Sequence, residues 1–437
     1  MSSLVIRNGY IVGEDSVEVG DVLIVDGVIA ATGDVGETPS HAVEIDAEGC
    51  WVGPGFVDLH THLREPGREE AETIESGARA AAVGGFTALV AMPNTEPPLD
   101  NAALVAYVLE QGARTPLDIA VAGAITVGRE GEKLAPMAEM AALGVRLFTD
   151  DGVGVQDPSL MRRALTYAAP LGVRLAQHCE DELLAAGGAM NEGPLSSRLG
   201  LGGRPALAEE LMVMRDIELV RLTGGSLHFL HLSTARSVAM AIQARREGLD
   251  VTFEVAPHHF TLDENSCEGF DPIFKVHPPL RGAPDVLALR EALRAGLVDA
   301  VATDHAPHAP ELKDLPFDEA PPGMLGLEHV ASLTFEALGA TPDVASLLFE
   351  VLSRGPARIA QLRRSDARHR LSAHGGALVT GEDANIVVFD PHARWLVQSE
   401  NLQSRAKNTP YDGRELSGRV RSTVAKGRLI VNEGLLV

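Results

Sequence analysis

Eight short apolar runs, separated by Ala- and Leu-rich stretches with helical spacing, constrain this chain more than any other feature of its 437 residues. The runs are GFVDLHTH (55–62), FTALVAMPN (86–94), LDIAVAGAI (117–125), GVRLFTDD (144–151), GVRLAQHCE (172–180), SLHFLHLS (226–233), VTFEVAPHH (251–259) and VDAVATDHAPH (298–308). Stretches such as TIESGARAAAVG (73–84), TARSVAMAIQARREG (234–248) and DVLALREALRAG (285–296) lie between them. Near-continuous apolar strands need cover on both faces, and strand–helix alternation supplies it through parallel crossovers. Eight such units over roughly 250 residues predict an α/β fold, a closed (β/α)8 barrel of the TIM type. An open doubly wound sheet is the alternative, but the first strand-to-helix turn lacks G-x-G-x-x-G.

The ends of the chain read differently. Residues 1–52 (LVIRNGYIV, DVLIVDGVIAATG) and 376–437 (ANIVVFD, STVAKGRLIVNEG) alternate apolar and polar residues between turn signals, the pattern of antiparallel strands. Each segment is short for a stable unit. Together they predict one small β-sandwich domain, interrupted by a barrel over 53–375.

Bulk properties exclude several functions. The formal net charge of -24 argues against nucleic acid or an anionic membrane as partner, since both require a positive face. No apolar run is long enough to span a bilayer, and the N-terminus lacks a secretory layout, so a cytoplasmic location is expected. Three scattered cysteines, Cys50, Cys179 and Cys267, suit a reducing compartment and form no zinc-ribbon spacing.

Barrel chemistry is built where strands end, at the C-terminal face. The first run ends in His60 and His62, the second in Asn94, the fourth in Asp150 and Asp151, the fifth in His178, the sixth in His231, and the eighth in Asp304, with His305 and His308 beyond. Residues two apart on a strand share a face, so His60 and His62 can grip one ion while Thr61 points away. Imidazole nitrogen and carboxylate oxygen are ligands for Zn2+ and related ions. Four imidazoles and at least two carboxylates exceed the needs of one tetrahedral ion and point to a two-metal centre with a bridging carboxylate and an activated water. Asp304 would be both ligand and proton shuttle. Alternation alone leaves Asp150 and Asp151 equivalent as the bridge.

The stretches PGFVDLHTHLREPG, AMPNTEPP, RLFTDDG, QHCED, HLST, APHHF and ATDHAPH, with PPLR at 278–281 and PPGMLGLE at 321–328, resemble the amidohydrolase superfamily and, within it, the bacterial type I dihydroorotases. The resemblance implies reversible cyclisation of N-carbamoyl-L-aspartate to L-dihydroorotate, a step of pyrimidine synthesis. It implies two Zn2+ ions, with His60 and His62 on one, His178 and His231 on the other, Asp151 and a water or hydroxide between them, and Asp304 as ligand and catalytic acid/base. It further implies substrate contacts from His62, Arg64, Asn94, His277 and His308 and from the backbone of Pro322 and Gly323. A planar guanidinium such as that of Arg64 meets a carboxylate through two parallel bonds.

Two departures matter. Many relatives bridge the metals with a carboxylated lysine, yet no lysine occurs here between Lys133 and Lys275. That counts against the alternative of a hydantoinase-like cyclic amidase. And His277 stands where the family usually has asparagine, so a charge change near neutral pH could enter the substrate site. His258, His259 and His305 are expected to brace the site rather than bind metal, and 309–323 to act as a lid. The family also implies a homodimer and, in some members, association with aspartate transcarbamoylase, including noncatalytic scaffold subunits that lack metal ligands.

Overall fold

A computed structural model describes residues 3–14, 16–37, 39–364 and 371–437. All eight apolar runs contain a strand of one parallel sheet. In chain order these are β1 (Phe56–Thr61), β2 (Phe86–Ala91), β3 (Asp118–Gly123), β4 (Leu147–Thr149), β5 (Arg174–Gln177), β6 (Leu227–Phe229), β7 (Val251–Val255) and β8 (Ala300–Val301). Their spatial order equals their sequence order. A parallel bridge between Thr61 and His305 brings the end of the sheet back to its beginning.

Closure has a chemical clasp. The Asp58 carboxylate accepts the Thr303 backbone N–H (2.9 Å) and the Thr61 hydroxyl (2.5 Å), joining β1 to the residues after β8. Alternate residues along the strands enter two cores. Leu89, Phe148, Leu175, Phe229 and Phe253 pack with helix residues such as Ile74, Val105, Leu165 and Leu289. Their neighbours Ala88, Val90, Leu147, Ala176 and Leu230 form a second cluster with Ala357 and Ile359. That two-sided burial explains why the strands read as unbroken apolar runs.

The terminal segments form a second sheet. Its strands run Leu435–Leu436, Arg428–Asn432, Glu415–Ala425, Ile386–Leu396, Trp51–Pro54, Ser3–Val12, Val17–Val25 and Val28–Gly33, with Val43–Asp46 also paired to Ser3–Val12. Ile386–Leu396 pairs antiparallel with Trp51–Pro54, so the two ends of the chain meet just before the barrel begins. The sheet has its own core of Leu4, Ile6, Val22, Ile24, Val52, Ile386 and Val424. Residues 402–411, between two of its strands, return to the barrel: the Ser404 hydroxyl donates to Glu72, and the Gln403 and Ser404 N–H groups donate to Glu328 (2.8 and 3.1 Å).

Candidate active site and metal centre

The strand ends converge as β-barrel geometry requires, and Asp151 stands at the centre. His60, His62 and Asp151 form one group of buried donors whose ligand atoms lie within 4.8 Å of one another; Asp151, His178 and His231 form a second. The Asp151 Oδ1 atom is 3.3 Å from His60 Nε2, 3.5 Å from His178 Nδ1 and 3.7 Å from His231 Nε2, while its Oδ2 is 3.6 Å from His62 Nε2. Asp304 Oδ1 approaches His62 Nε2 (3.2 Å) and His60 Nε2 (3.5 Å). Asp150 points elsewhere: it accepts the Ile125 and Thr126 N–H groups (2.8 and 3.0 Å) and the Thr126 hydroxyl.

Three of the four imidazoles are aimed by a partner on the far side, while His231 Nδ1 has none among the described residues. His60 Nδ1 donates to Glu254 Oε1 (2.9 Å), leaving Nε2 facing Asp151 with no hydrogen-bond partner among the described residues. His62 Nδ1 donates to Asn94 Oδ1 (2.8 Å), which turns its Nε2 toward Asp304 Oδ1 (3.2 Å) and Asp151 Oδ2 (3.6 Å). His178 Nε2 faces Glu180 at 3.4 Å, and Glu180 is itself forked by Arg204 (3.1 and 3.0 Å). Such outer bonds fix tautomer and ring orientation in metal sites. His178 Nδ1 and His231 Nε2 are 3.0 Å apart, two nitrogens converging where one cation would serve both. The buried nitrogen and oxygen donors therefore fit a metal ion.

The electrostatics favour a cation. Burial alone would raise the Asp151 carboxyl, but His60, His178 and His231 hold it well below the usual carboxylate range. Burial likewise opposes ionisation of Asp304, and the His62 bond with the His60 and His231 charges depresses it nonetheless. Burial works against charge on His178, yet Asp151 and Glu180 lift it to about 9. Both carboxylates are thus ionised at neutral pH. His231, Asp304 and Arg64 all hold positive φ (31°, 46° and 59°), a sparsely populated region for such residues that clusters at functional sites.

A cavity of about 220 Å³ opens beside these groups, lined among others by Arg64, Asn94, His277, His308, Pro322 and Gly323. Arg64 Nε donates to the Pro307 carbonyl (3.1 Å), which holds the guanidinium on the cavity wall. Asn94 also donates from Nδ2 to Asp151 Oδ2 (3.3 Å), so it braces both donor groups. His308 Nε2 donates to the Pro322 carbonyl (2.8 Å). His277 is deep enough that burial, with Arg204 and His178 adding to it against Glu180, pushes its pKa down to about 3. The imidazole is neutral, so the expected charge change near neutral pH is removed by desolvation. A larger hollow of about 580 Å³, beside Glu328 and Trp395, carries none of the metal donors.

Of the bracing histidines, His259 Nε2 donates to the Pro278 carbonyl (2.9 Å), His305 Nε2 faces Glu72 (3.3 Å), and His258 Nε2 lies 3.9 Å from Asp304 Oδ2. The 309–323 stretch is seated: Phe317 and Ala320 are buried, and Lys313 Nζ donates to the carbonyls of Pro272 (3.1 Å) and Pro321 (2.8 Å). Sequence reasoning missed Glu254, His228, Glu180 and Arg204. The visible signal was a lone carboxylate inside the apolar run VTFEV and an extra histidine in SLHFLH.

Residues 49–237 match the Dihydro-orotase-like family. The chain is 44% identical over 436 residues to the dihydroorotase of Pelotomaculum thermopropionicum, covering 99% of each. The chain belongs to the dihydroorotase family. The dihydroorotase of Mycobacterium tuberculosis is 45% identical over 419 residues, 95% of each chain. Among solved structures, the L-hydantoinase of Arthrobacter aurescens superposes with a TM-score of 0.87 at 25% identity, over 100% of this chain and 98% of that one. Dihydroorotases and hydantoinases are cyclic amide hydrolases, and this dihydroorotase-family chain shares their barrel and their second, β unit.

Proposed function

We propose that the chain is a dihydroorotase, interconverting N-carbamoyl-L-aspartate and L-dihydroorotate with two Zn2+ ions. The carrying observation is the position of Asp151, shared by two histidine pairs, with Asp304 beside one pair and Arg64 on the wall of the same cavity. When bound, divalent ions there would acidify water and polarise the amide carbonyl. His60 and His62 would hold one ion, His178 and His231 the other, and Asp151 would bridge them.

The chain's own groups supply the rest. The Arg64 guanidinium, charged at neutral pH though burial lowers its pKa to about 10, would receive the substrate carboxylate. Asn94, His277, His308 and the Pro322–Gly323 backbone would complete the pocket. Asp304, kept ionised against its burial by the surrounding histidines, would take the proton from the attacking water and pass it to the departing ring nitrogen. In the cyclising direction the same carboxylate takes the proton from the ureido nitrogen as the C–N bond forms and returns it to the carboxylate oxygen that departs as the C–O bond breaks.

The hydantoinase alternative has support from the fold of its solved neighbours, but the bridging position holds an aspartate and the near relatives in sequence are dihydroorotases. A noncatalytic scaffold is disfavoured because all six donor side chains are present and converge. A homodimer, and association with aspartate transcarbamoylase, are the family-derived parts of the proposal. A cytoplasmic location suits three buried free thiols; no described helix is long and apolar enough to cross a membrane. The test is metal analysis coupled to dihydroorotate hydrolysis. Two zinc equivalents with turnover support the reading, and a metal-free chain working at the same rate sinks it.

A further inference from the structure

Asn408 lies on the C-terminal segment, between strands of the small sheet, yet its side chain reaches two loops that line the substrate cavity. Its Nδ2 donates to the carbonyls of Ala306 (3.0 Å) and Gly323 (3.2 Å), and its Oδ1 accepts the His308 backbone N–H (3.1 Å). Its own carbonyl accepts the Leu325 N–H (3.1 Å). One buried amide thus ties the loop 304–308 to the loop 321–325, and both line the cavity. Only a primary amide offers two donors and an acceptor on so short a stem.

The spacing that it sets has little slack. A Cβ on Gly323 would fall 2.6 Å from Ala306 Cβ and 2.9 Å from His308 Nε2. The arm carrying Asn408 is itself fixed at Ser404 to Glu72 and at Tyr411, whose hydroxyl lies 2.7 Å from that of Thr261. We propose that Asn408 is a positioning residue for the substrate, setting the gap between His308 and the Pro322–Gly323 backbone so that the C-terminal segment shapes the substrate wall. Asp304 is held independently, through Thr303 and Asp58, so this role belongs to binding rather than to proton transfer. The inference rests on the assignment of this cavity to substrate.

Asn408→Asp keeps the acceptor and the size but sets a carboxylate against two carbonyl oxygens; Asn408→Ala removes all three bonds. Loosening the two loops that face the substrate predicts a KM for N-carbamoyl-L-aspartate raised about tenfold or more in both variants. The expected kcat stays within about threefold and zinc content matches wild type, since no metal ligand moves. Hydrogen exchange reads the same staple without substrate. The His308 amide and the 321–326 stretch should exchange faster in Asn408→Ala, whereas in Asn408→Asp the His308 amide stays protected. An unchanged KM, or exchange accelerated evenly over the chain with loss of zinc, overturns the proposal. Failure of the wild type to turn over either dihydroorotate or N-carbamoyl-L-aspartate refutes the functional reading instead, and the exchange pattern then decides the staple.

Discussion

Single side chains carry three separable tasks. In the proposed mechanism Asp304 moves the proton, so Asp304→Asn should lower kcat about a thousandfold, within the range of general acid–base catalysis, while circular dichroism stays native. Glu254 aims His60, a proposed metal ligand. Its two oxygens hold His60 (2.9 Å) and His228 (3.0 Å), and those imidazoles keep its carboxyl near 2 although burial would raise it. Glu254→Gln should weaken metal binding about 10- to 100-fold in competition with a chromophoric chelator. His277 fills the pocket without changing charge. Because its pKa is pushed down to about 3, it is neutral throughout the working range, and His277→Asn should shift KM while leaving the pH profile of kcat/KM in place. A profile that loses a limb near neutral pH in that variant would show that the imidazole titrates there after all.

At the scale of elements, the joints between barrel and terminal segments decide stability. Asp118, the first residue of β3, is buried; it accepts from His374 (2.9 Å) and the Ser372 N–H (2.8 Å) and pairs with Lys426 (2.7 Å). Burial would raise its pKa, but His374 and Lys426 lower it to about 2. A carboxyl depressed in the folded state stabilises above its unfolded pKa of about 3.9 and loses that contribution as pH falls through its folded value. Asp118→Asn should therefore cost about 2 kcal/mol at pH 7, and the deficit should shrink between pH 4 and pH 2 in urea titrations. The 309–323 stretch is fastened within the barrel segment itself. Lid motion there would have to break the Lys313 bond to Pro272, while the bond to Pro321 holds the stretch together, and Lys313→Met should speed hydrogen exchange across it.

For the whole molecule, the catalytic centre and the fold are separable. The barrel closes through Asp58, Thr303 and the strand–helix core, none of which supplies a proposed metal ligand. Chelation should abolish turnover reversibly, lower the melting temperature by the linkage of bound metal, and leave the far-ultraviolet spectrum intact. Loss of the native spectrum on chelation would mean that the ion is structural.

Much of this was legible along the chain because it is periodic. Apolar runs of strand length alternating with helical stretches announce a parallel barrel, and a two-residue repeat puts His60 and His62 on one face. The positions of Asp304, His178 and His231 at strand ends follow from the same register. Strand alternation leaves Asp150 and Asp151 equivalent, and only the family resemblance favours Asp151. The structure adds the reason Asp150 points elsewhere: it accepts the Thr126 N–H at the end of another strand. Tertiary structure alone recruited Glu254 to His60, 194 residues away, and Asn408 to Ala306, 102 residues away. Local pattern encodes which face a residue occupies. Which distant polar groups meet there is set by closure of the sheet and by the need of each buried donor or acceptor for a partner, and neither has a period in the sequence.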